Sequence, residues 1–355
     1  MLDKQQIEEI REHLNKSQNP VFFFDNDCDG LMAFILLRRY IGRGKGVAIK
    51  SFPELDESYV RKIEEFNADY VFILDKPAVS KEFIEEVNKK NLPIVWIDHH
   101  DVKVNLKELN EAYVNYYNPI FSKQKSMEPT SYIAYNIAGN KKDLWLAVSG
   151  CVADNFLPEF YEDIVREYPE LCRKNINSAF EVLYETEFGK LVMMFSFALK
   201  DRTSNVVSMI NLLFNANSPF DILKEDERNF KISKRYQQVS GIYSKLLEKA
   251  KMVARSSRKV IFFQYGGELS LSADLANELS YRFPGKVLIV AYIKGSIANV
   301  SVRGKVNIRD ITLKAINQIE GSTGGGHEHA TGAKLKVEDL PRFKEFFEKE
   351  VERRS

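Results

Sequence analysis

The sequence predicts an α/β protein built on a doubly wound parallel sheet, and three observations carry that prediction. Apolar runs recur and each ends in acid: VFFFD closes on Asp25, YVFILD on Asp75 and LPIVWID on Asp98. Segments with helical spacing lie between them, LMAFILLRRYIG after Gly30 and the stretch from Lys81 to Lys90. Wholly apolar strands suit a sheet covered on both faces, and strand–helix alternation suits parallel crossovers. The acids then fall where such a sheet opens its ligand crevice, beyond the carboxyl ends of its strands.

Taken in order, residues 4 to 15 read as an amphipathic helix, which SQNP stops before the first strand. That strand runs into DNDCDG, followed by the helix LMAFILLRRYIG. GVAIKSFPE, the Lys81–Lys90 helix and the Pro93–Ile97 strand continue the alternation. PTSYIAYNIAG reads as a helix with a Thr or Ser N-cap, and LWLAVSGCVAD leads to Asp154. A first domain over residues 1–156 follows. Residues 157–257 change to helical spacing with many charges and are expected as a connector, in which KLVMMFSFALKD and VVSMINLLFNA supply plain core or a partner interface. RSSRK reads as a basic linker into a second, smaller α/β domain over 258–336: strand VIFFQY, helix ADLANELSYRF, strands KVLIVAYIK and ANVSVRG, and helix IRDITLKAINQI. Residues 337–355 read as one last charged helix.

At 355 residues and 44% apolar content the chain can build two or three cores. Its 51 basic and 50 acidic residues nearly cancel, so a nucleic-acid contact must come from a local patch. Cys28, Cys151 and Cys172 form no CxxC pair, which argues against disulfides and structural zinc and for a reducing cytoplasm. The charged N-terminus MLDKQQIEEIREHLNKS and the lack of an apolar span of membrane length give the expectation of a soluble cytoplasmic protein with no membrane partner.

Asp25, Asp27 and Asp29 alternate in DNDCDG, and carboxylates crowded this closely repel one another unless cations sit among them. A solvent-facing acidic turn would account for an isolated DxDxD. Recurrence of the strand-then-acid pattern weakens that account, as does the placing of the five histidines: His99 and His100 follow Asp98, while His327 and His329 sit in a glycine cluster. Carboxylates suit hard cations and imidazole adds a borderline ligand, so Mn²⁺ is the first expectation and Mg²⁺ the second.

DNDCDG, Asp75, the triplet Asp98-His99-His100 and Asp154 in GCVAD occur in the order of the four motifs of the DHH phosphoesterase superfamily, which the chain therefore resembles. GSTGGGHEHATGA resembles the glycine-histidine signature of its DHHA1 substrate-binding domain. Within the superfamily the likeness is to RecJ-like nucleases, the archaeal Hef-associated group among them. That resemblance implies metal ligation by Asp25, Asp27, Asp75, His99 and Asp154, with Asp75 bridging two ions about 4 Å apart. Asp29 is included as a further metal ligand, since the histidine that some branches carry four residues before the first Asp is here Val21. His100 matches the position that contacts the scissile phosphate, and Asp98 is expected to hold a histidine in place. Lys76, beside Asp75, is expected to point to solvent or to phosphate.

In the second domain the resemblance implies substrate contacts from Ser301, Arg303, Gly325, Gly326 and His327, with His329 structural. The implied activity is a divalent-metal exonuclease that degrades single-stranded DNA or RNA to mononucleotides in repair or replication, with polarity leaning 3′→5′. A phosphodiesterase for short oligonucleotides or cyclic dinucleotides is the alternative from the same chemistry, and a non-catalytic replication scaffold is the alternative without it. A homo-oligomer or a helicase partner is the expected use of the apolar stretches in the connector.

Overall fold

The acid-ended apolar runs form the middle of one sheet because each is covered on both faces. In the computed structural model, which describes residues 1–50, 54–102, 104–122, 125–224, 226–256 and 259–354, the strands of the N-terminal region are β1 (Pro20–Asp25), β2 (Lys45–Ile49), the two-residue β3 (Glu54–Leu55), β4 (Tyr70–Leu74), the two-residue β5 (Ala78–Val79), β6 (Ile94–Ile97) and β7 (Val114–Tyr117). Among the described residues β3 pairs with β5, and the other five form an all-parallel sheet in the order β2-β1-β4-β6-β7. Successive side chains leave a strand on opposite faces. Phe22, Phe24, Phe72, Leu74, Val95 and Ile97 accordingly enter one core, and Val21, Phe23, Val71, Ile73, Ile94 and Trp96 the other.

Among the described residues those faces are covered by α1 (Lys4–Lys16), α2 (Cys28–Ile41), α3 (Val60–Glu65), α4 (Lys81–Lys89), α5 (Leu106–Glu111), α6 (Thr130–Ala138) and α7 (Leu144–Ala153). The first core takes Ile10 and Leu14 from α1, nearly all of α2, and the buried sides of α6 and α7. The second takes Ile63 from α3, Phe83, Ile84 and Val87 from α4, and Leu109 from α5. From β1 the chain steps one way to β2, then crosses back over β1 to make β4. The carboxyl ends of β1 and β4 therefore flank the point where the winding reverses, where such sheets place ligands. Phe24 pairs with Leu74 and Leu74 with Ile97, so Asp25, Asp75 and Asp98 leave their strands at one level.

By packing, the chain forms two compact units, Met1–Tyr236 and Gln237–Ser355. The segment expected as a connector is part of the first. α8 (Tyr161–Glu167), α9 (Ala179–Glu185), α10 (Glu187–Ala198), α11 (Thr203–Asn215) and α12 (Phe220–Leu223) send Ile164, Val182, Phe195, Leu213 and Ile222 into the same core as α2 and α7. Leu191, Val192, Met194, Val206, Met209 and Ile210 join them, so most of the two apolar stretches is core, while Val207 is 44% exposed. α13 (Phe230–Ser256) carries the chain from one unit into the next. Residues 257–258 of RSSRK and 51–53 of GVAIKSFPE lie outside the described residues. No helix among the described residues is long and apolar enough to cross a membrane.

The second unit contains β8 (Val260–Gly266), α14 (Ser272–Arg282), β9 (Val287–Lys294), β10 (Ile297–Arg303), α15 (Ile308–Ile316), β11 (Thr323–His327), β12 (Ala330–Lys336) and α16 (Leu340–Arg354). Its sheet runs β11-β12-β10-β9-β8, with only β8 and β9 parallel. The glycine cluster forms a strand, β11, paired antiparallel with β12. Its glycines serve that pairing: a Cβ at Gly324 would lie 2.6 Å from the Gly332 carbonyl oxygen, and Gly326 holds φ 131°. The last helix is no appendage either, since Phe343 and Phe347 are wholly buried among β9, β10 and α15. Phe347→Ala is expected to destabilise the second unit by about 3–5 kcal/mol, as large-to-small changes at fully buried aromatics do; a denaturant melt that stays within 1 kcal/mol of wild type, taken as roughly the scale of surface changes, would refute the packing.

Candidate metal centre

β1 delivers Asp25, and the next residues turn at once into α2, whose N-cap is Asp27: its carboxylate accepts from the Gly30 N–H at 2.9 Å. Gly30 makes that tight entry possible, because a Cβ there would lie 2.7 Å from the Asp25 carbonyl oxygen. β4 delivers Asp75 in the left-handed region, φ 59°, a conformation sparsely used outside glycine and pinned here by the Asp75 N–H donating to the Ile97 carbonyl. β6 delivers Asp98, His99 and His100, and α7 ends with Asp154 at its C-cap.

These side chains converge. Asp75, His99 and His100 each offer a ligand atom within 4.8 Å of the others. His99 Nε2 lies 3.3 Å from Asp75 Oδ1 and 3.5 Å from Asp154 Oδ2. Thr130 Oγ1 donates to Asp75 Oδ1 at 3.2 Å and steadies that carboxylate. Burial first, then the charges of Asp29, Asp27, Asp154 and Asp25, push the Asp75 carboxyl well above its ordinary value. Asp27 opens to solvent at its own surface, yet the surrounding protein strips enough hydration, and Asp25 and Asp29 add enough charge, to raise it to about 7. Hard oxygen donors with an imidazole, crowded until their charges oppose one another, fit a divalent cation. So does the Asn26 side-chain oxygen, which is buried between Asp25 and Asp27 in the chain with no hydrogen-bond partner.

Asp98 is held away from that cluster by its own partners. His100 Nδ1 lies 2.8 Å from Asp98 Oδ1, while Asp98 Oδ2 accepts from the His100 N–H, Tyr116 Oη and Asn118 Nδ2 at 3.3–3.4 Å. Burial opposes charge on His100, but the charge and hydrogen bond of Asp98 outweigh it and lift the imidazole to about 9. A protonated ring lends no lone pair to a metal and offers an N–H to an anion. Tyr116 and Asn118, which fix this arrangement, are not legible in the sequence, because only the β6–β7 register brings them beside Asp98.

Three expectations need correction. Asp29, expected as a metal ligand, instead accepts at Oδ2 from the Thr130 N–H at 2.8 Å and at Oδ1 from the Ser131 N–H at 3.0 Å and from Ser131 Oγ. It caps α6 from another helix, doing what a Thr or Ser N-cap was expected to do, while the N-cap position itself is Pro129 with no side-chain bond. Lys76, expected to face solvent or phosphate, is 0% exposed and its Nζ lies 2.9 Å from Asp25 Oδ1. Ser301, expected to meet a phosphate, is buried and its hydroxyl donates to Ser272 Oγ at 3.0 Å.

The remaining residues of the second unit are Arg303, His327, His329 and the glycines. Arg303 Nε donates to Asn277 Oδ1 at 2.6 Å and Nη1 to the Val302 and Thr331 carbonyls, tying β10 to α14 and β12. His327 ends β11, half-buried, and an added Cβ at Gly325 would meet nothing within 4 Å. His329 is exposed in the turn, 3.3 Å from the Val306 carbonyl.

Two outcomes separate these roles. Asp29→Ala is expected to cost about 1–3 kcal/mol of stability, because it strands two buried N–H groups, and to leave the Mn²⁺ stoichiometry unchanged; an unaltered melt together with lost Mn²⁺ would restore Asp29 as a ligand. The raised carboxyl of Asp27 means that the folded, metal-free protein holds a proton the unfolded chain releases near 3.8. Its contribution to stability is present below that value and is lost as pH rises through about 7. Metal-free Asp27→Asn should therefore match wild type only below pH about 3.8 and exceed it at pH near 8, and the stabilisation of wild type by Mn²⁺ should grow over the same interval.

The model of the DHH family N-terminal domain matches residues 21–154, and that of the DHHA1 domain matches residues 238–353. No curated protein matches the sequence. Among solved structures, the fold is similar to RecJ of Thermus thermophilus in complex with Mn²⁺ (TM-score 0.70, 14% identity, 98% of this chain and 54% of that one) and to an exonuclease RecJ bound to manganese (0.65, 14%, 96% and 92%). It is also similar to a pGpG-specific phosphodiesterase from Vibrio cholerae (0.51, 12%, 94% and 99%). The chain thus spans about half the length of the Thermus protein. The two domain matches and the shared architecture establish that the chain belongs to the DHH superfamily, with a RecJ-like DHH domain followed by a DHHA1 domain.

Proposed function

We propose that this protein is a divalent-metal-dependent exonuclease that hydrolyses single-stranded DNA or RNA to mononucleotides, with Mn²⁺ as the first choice of ion and Mg²⁺ the second. The observation that carries the reading is the unbroken set of Asp25, Asp27, Asp75, His99 and Asp154 at the reversal point of the sheet, beside an imidazolium at His100. Divalent metal bound there would supply Lewis-acid stabilisation of the charge that develops on a phosphodiester during hydrolysis. Asp75, His99 and Asp154 are the proposed core of the ligand set, with Asp27 beside them and Asp25 where a second ion would be held. His100 donates to a non-bridging phosphate oxygen, and Asp98 keeps it charged and oriented for that contact. The proposed substrate contacts in the second unit are Arg303, His327 and the backbone of Gly325 and Gly326, with Arg303 held in place by Asn277 and two carbonyls. The resemblance to the archaeal Hef-associated group leans the direction to 3′→5′, and the proposed role is in DNA repair or replication.

A phosphodiesterase for short oligonucleotides is the second reading, favoured by the likeness to the pGpG-specific enzyme, which this chain matches over nearly the whole of both. End-labelled single strands of graded length distinguish the two. The exonuclease reading expects Mn²⁺-dependent laddering of long strands, whereas turnover confined to dinucleotides would replace it with the second. Asp75→Ala, which removes the carboxylate that His99 and Thr130 both address, should lower the rate at least tenfold; retention of more than a tenth of the wild-type rate would remove Asp75 from the ligand set.

A further inference from the structure

We propose that Lys76 is a resident cation of the acidic site: its ammonium takes the place beside Asp25 that a second divalent ion would otherwise fill, so the chain binds one such ion tightly rather than two. The inference rests on the metal reading above and deepens it.

The backbone commits Lys76 to the site. Asp75 adopts φ 59° directly after β4, and the next carbonyl, that of Lys76, accepts from Trp96 Nε1 at 2.9 Å. With both ends of the turn fixed by β6, through Ile97 and Trp96, the Lys76 side chain is wholly buried and its Nζ lies 2.9 Å from Asp25 Oδ1. A lysine is almost never fully buried without a charge partner, and Asp25, 23% exposed, is such a partner here. A divalent ion on Asp25 would face a fixed positive charge with little water to screen it. Displacing the ammonium to admit the ion would leave a buried charge without its carboxylate.

The other end of the site differs. His99 Nε2 stands 3.3 Å from Asp75 Oδ1 and 3.5 Å from Asp154 Oδ2, and the donor that steadies Asp75 there is the neutral hydroxyl of Thr130. One ion belongs beside His99, between these two carboxylates. Lys76 then supplies, as a fixed charge with N–H donors, part of the neutralisation that a second ion supplies elsewhere.

The test is Mn²⁺ titration of the full chain by calorimetry and electron paramagnetic resonance. Wild type should bind one ion per chain, with any second ion weaker by about tenfold or more, and should give a mononuclear six-line spectrum with no exchange-coupled signal at two equivalents. Lys76→Met, of similar length and without charge, should bind two ions and show the coupled spectrum; Lys76→Arg should stay at one. Two equally tight, coupled ions in wild type would overturn the proposal while leaving the metal reading intact, and this arm needs no variant to fold. A folded Lys76→Met that still binds only one ion would also overturn it. Absence of any Mn²⁺ binding to wild type would overturn both.

Discussion

Negative charge gathered at one sheet edge is the constraint that the rest of the first unit answers. Five acidic side chains reach the carboxyl ends of β1, β4 and β6 or the first turn of α2, and Asp29, Asp75 and Asp98 are each almost wholly removed from solvent. An ionised carboxylate in such a place is costly unless hydrogen bonds or an opposite charge compensate it. The structure compensates them one at a time. Asp29 receives two backbone N–H groups and a hydroxyl from the start of α6, Asp98 receives an imidazolium with Tyr116 and Asn118, and Asp25 receives the ammonium of Lys76. Asp75, Asp27 and Asp154 act on one another, which is the condition that favours a bound cation.

This division explains why residues close in sequence serve different ends. Asp25, Asp27 and Asp29 stand two apart in one short loop, but the strand ends at the first, the helix is capped by the second and the third has already entered the first turn. The third therefore faces α6 and α7, where Gly150 leaves room for Ser131 and Asp29 to meet. Likewise His99 and His100 diverge: the first stands between two carboxylates of the cluster, the second is drawn to Asp98 and made cationic. A candidate metal ligand and a candidate anion contact thus come from one dipeptide, because adjacent residues at a strand end leave in different directions.

The second unit shows a related economy in its backbone. Glycines at 324 and 326 admit the close approach of β12, and Arg303 binds carbonyls and Asn277 within its own unit, so features that read as phosphate recognition also hold the sheet together. Gly325 is the member of the run whose added Cβ would meet nothing, which separates it from the glycines that pairing requires.

The sequence by itself determined the α/β class, the parallel sheet and the convergence of Asp25, Asp75 and Asp98. Those follow from local pattern: apolar runs of strand length, helical spacing between them, and acids at the run ends. It also carried the motif order that identifies the superfamily. Tertiary structure decided what each acid does, because that depends on which donor stands opposite. Thr130 and Ser131 lie about a hundred residues from Asp29, and Lys76 lies fifty-one residues from Asp25. Nothing in DNDCDG distinguishes a carboxylate that will meet two N–H groups from one that will meet an ammonium. The limits of the units were hidden for the same reason: the helical spacing of residues 161–223 specifies amphipathic faces, and only packing shows that they close over α2 and α7.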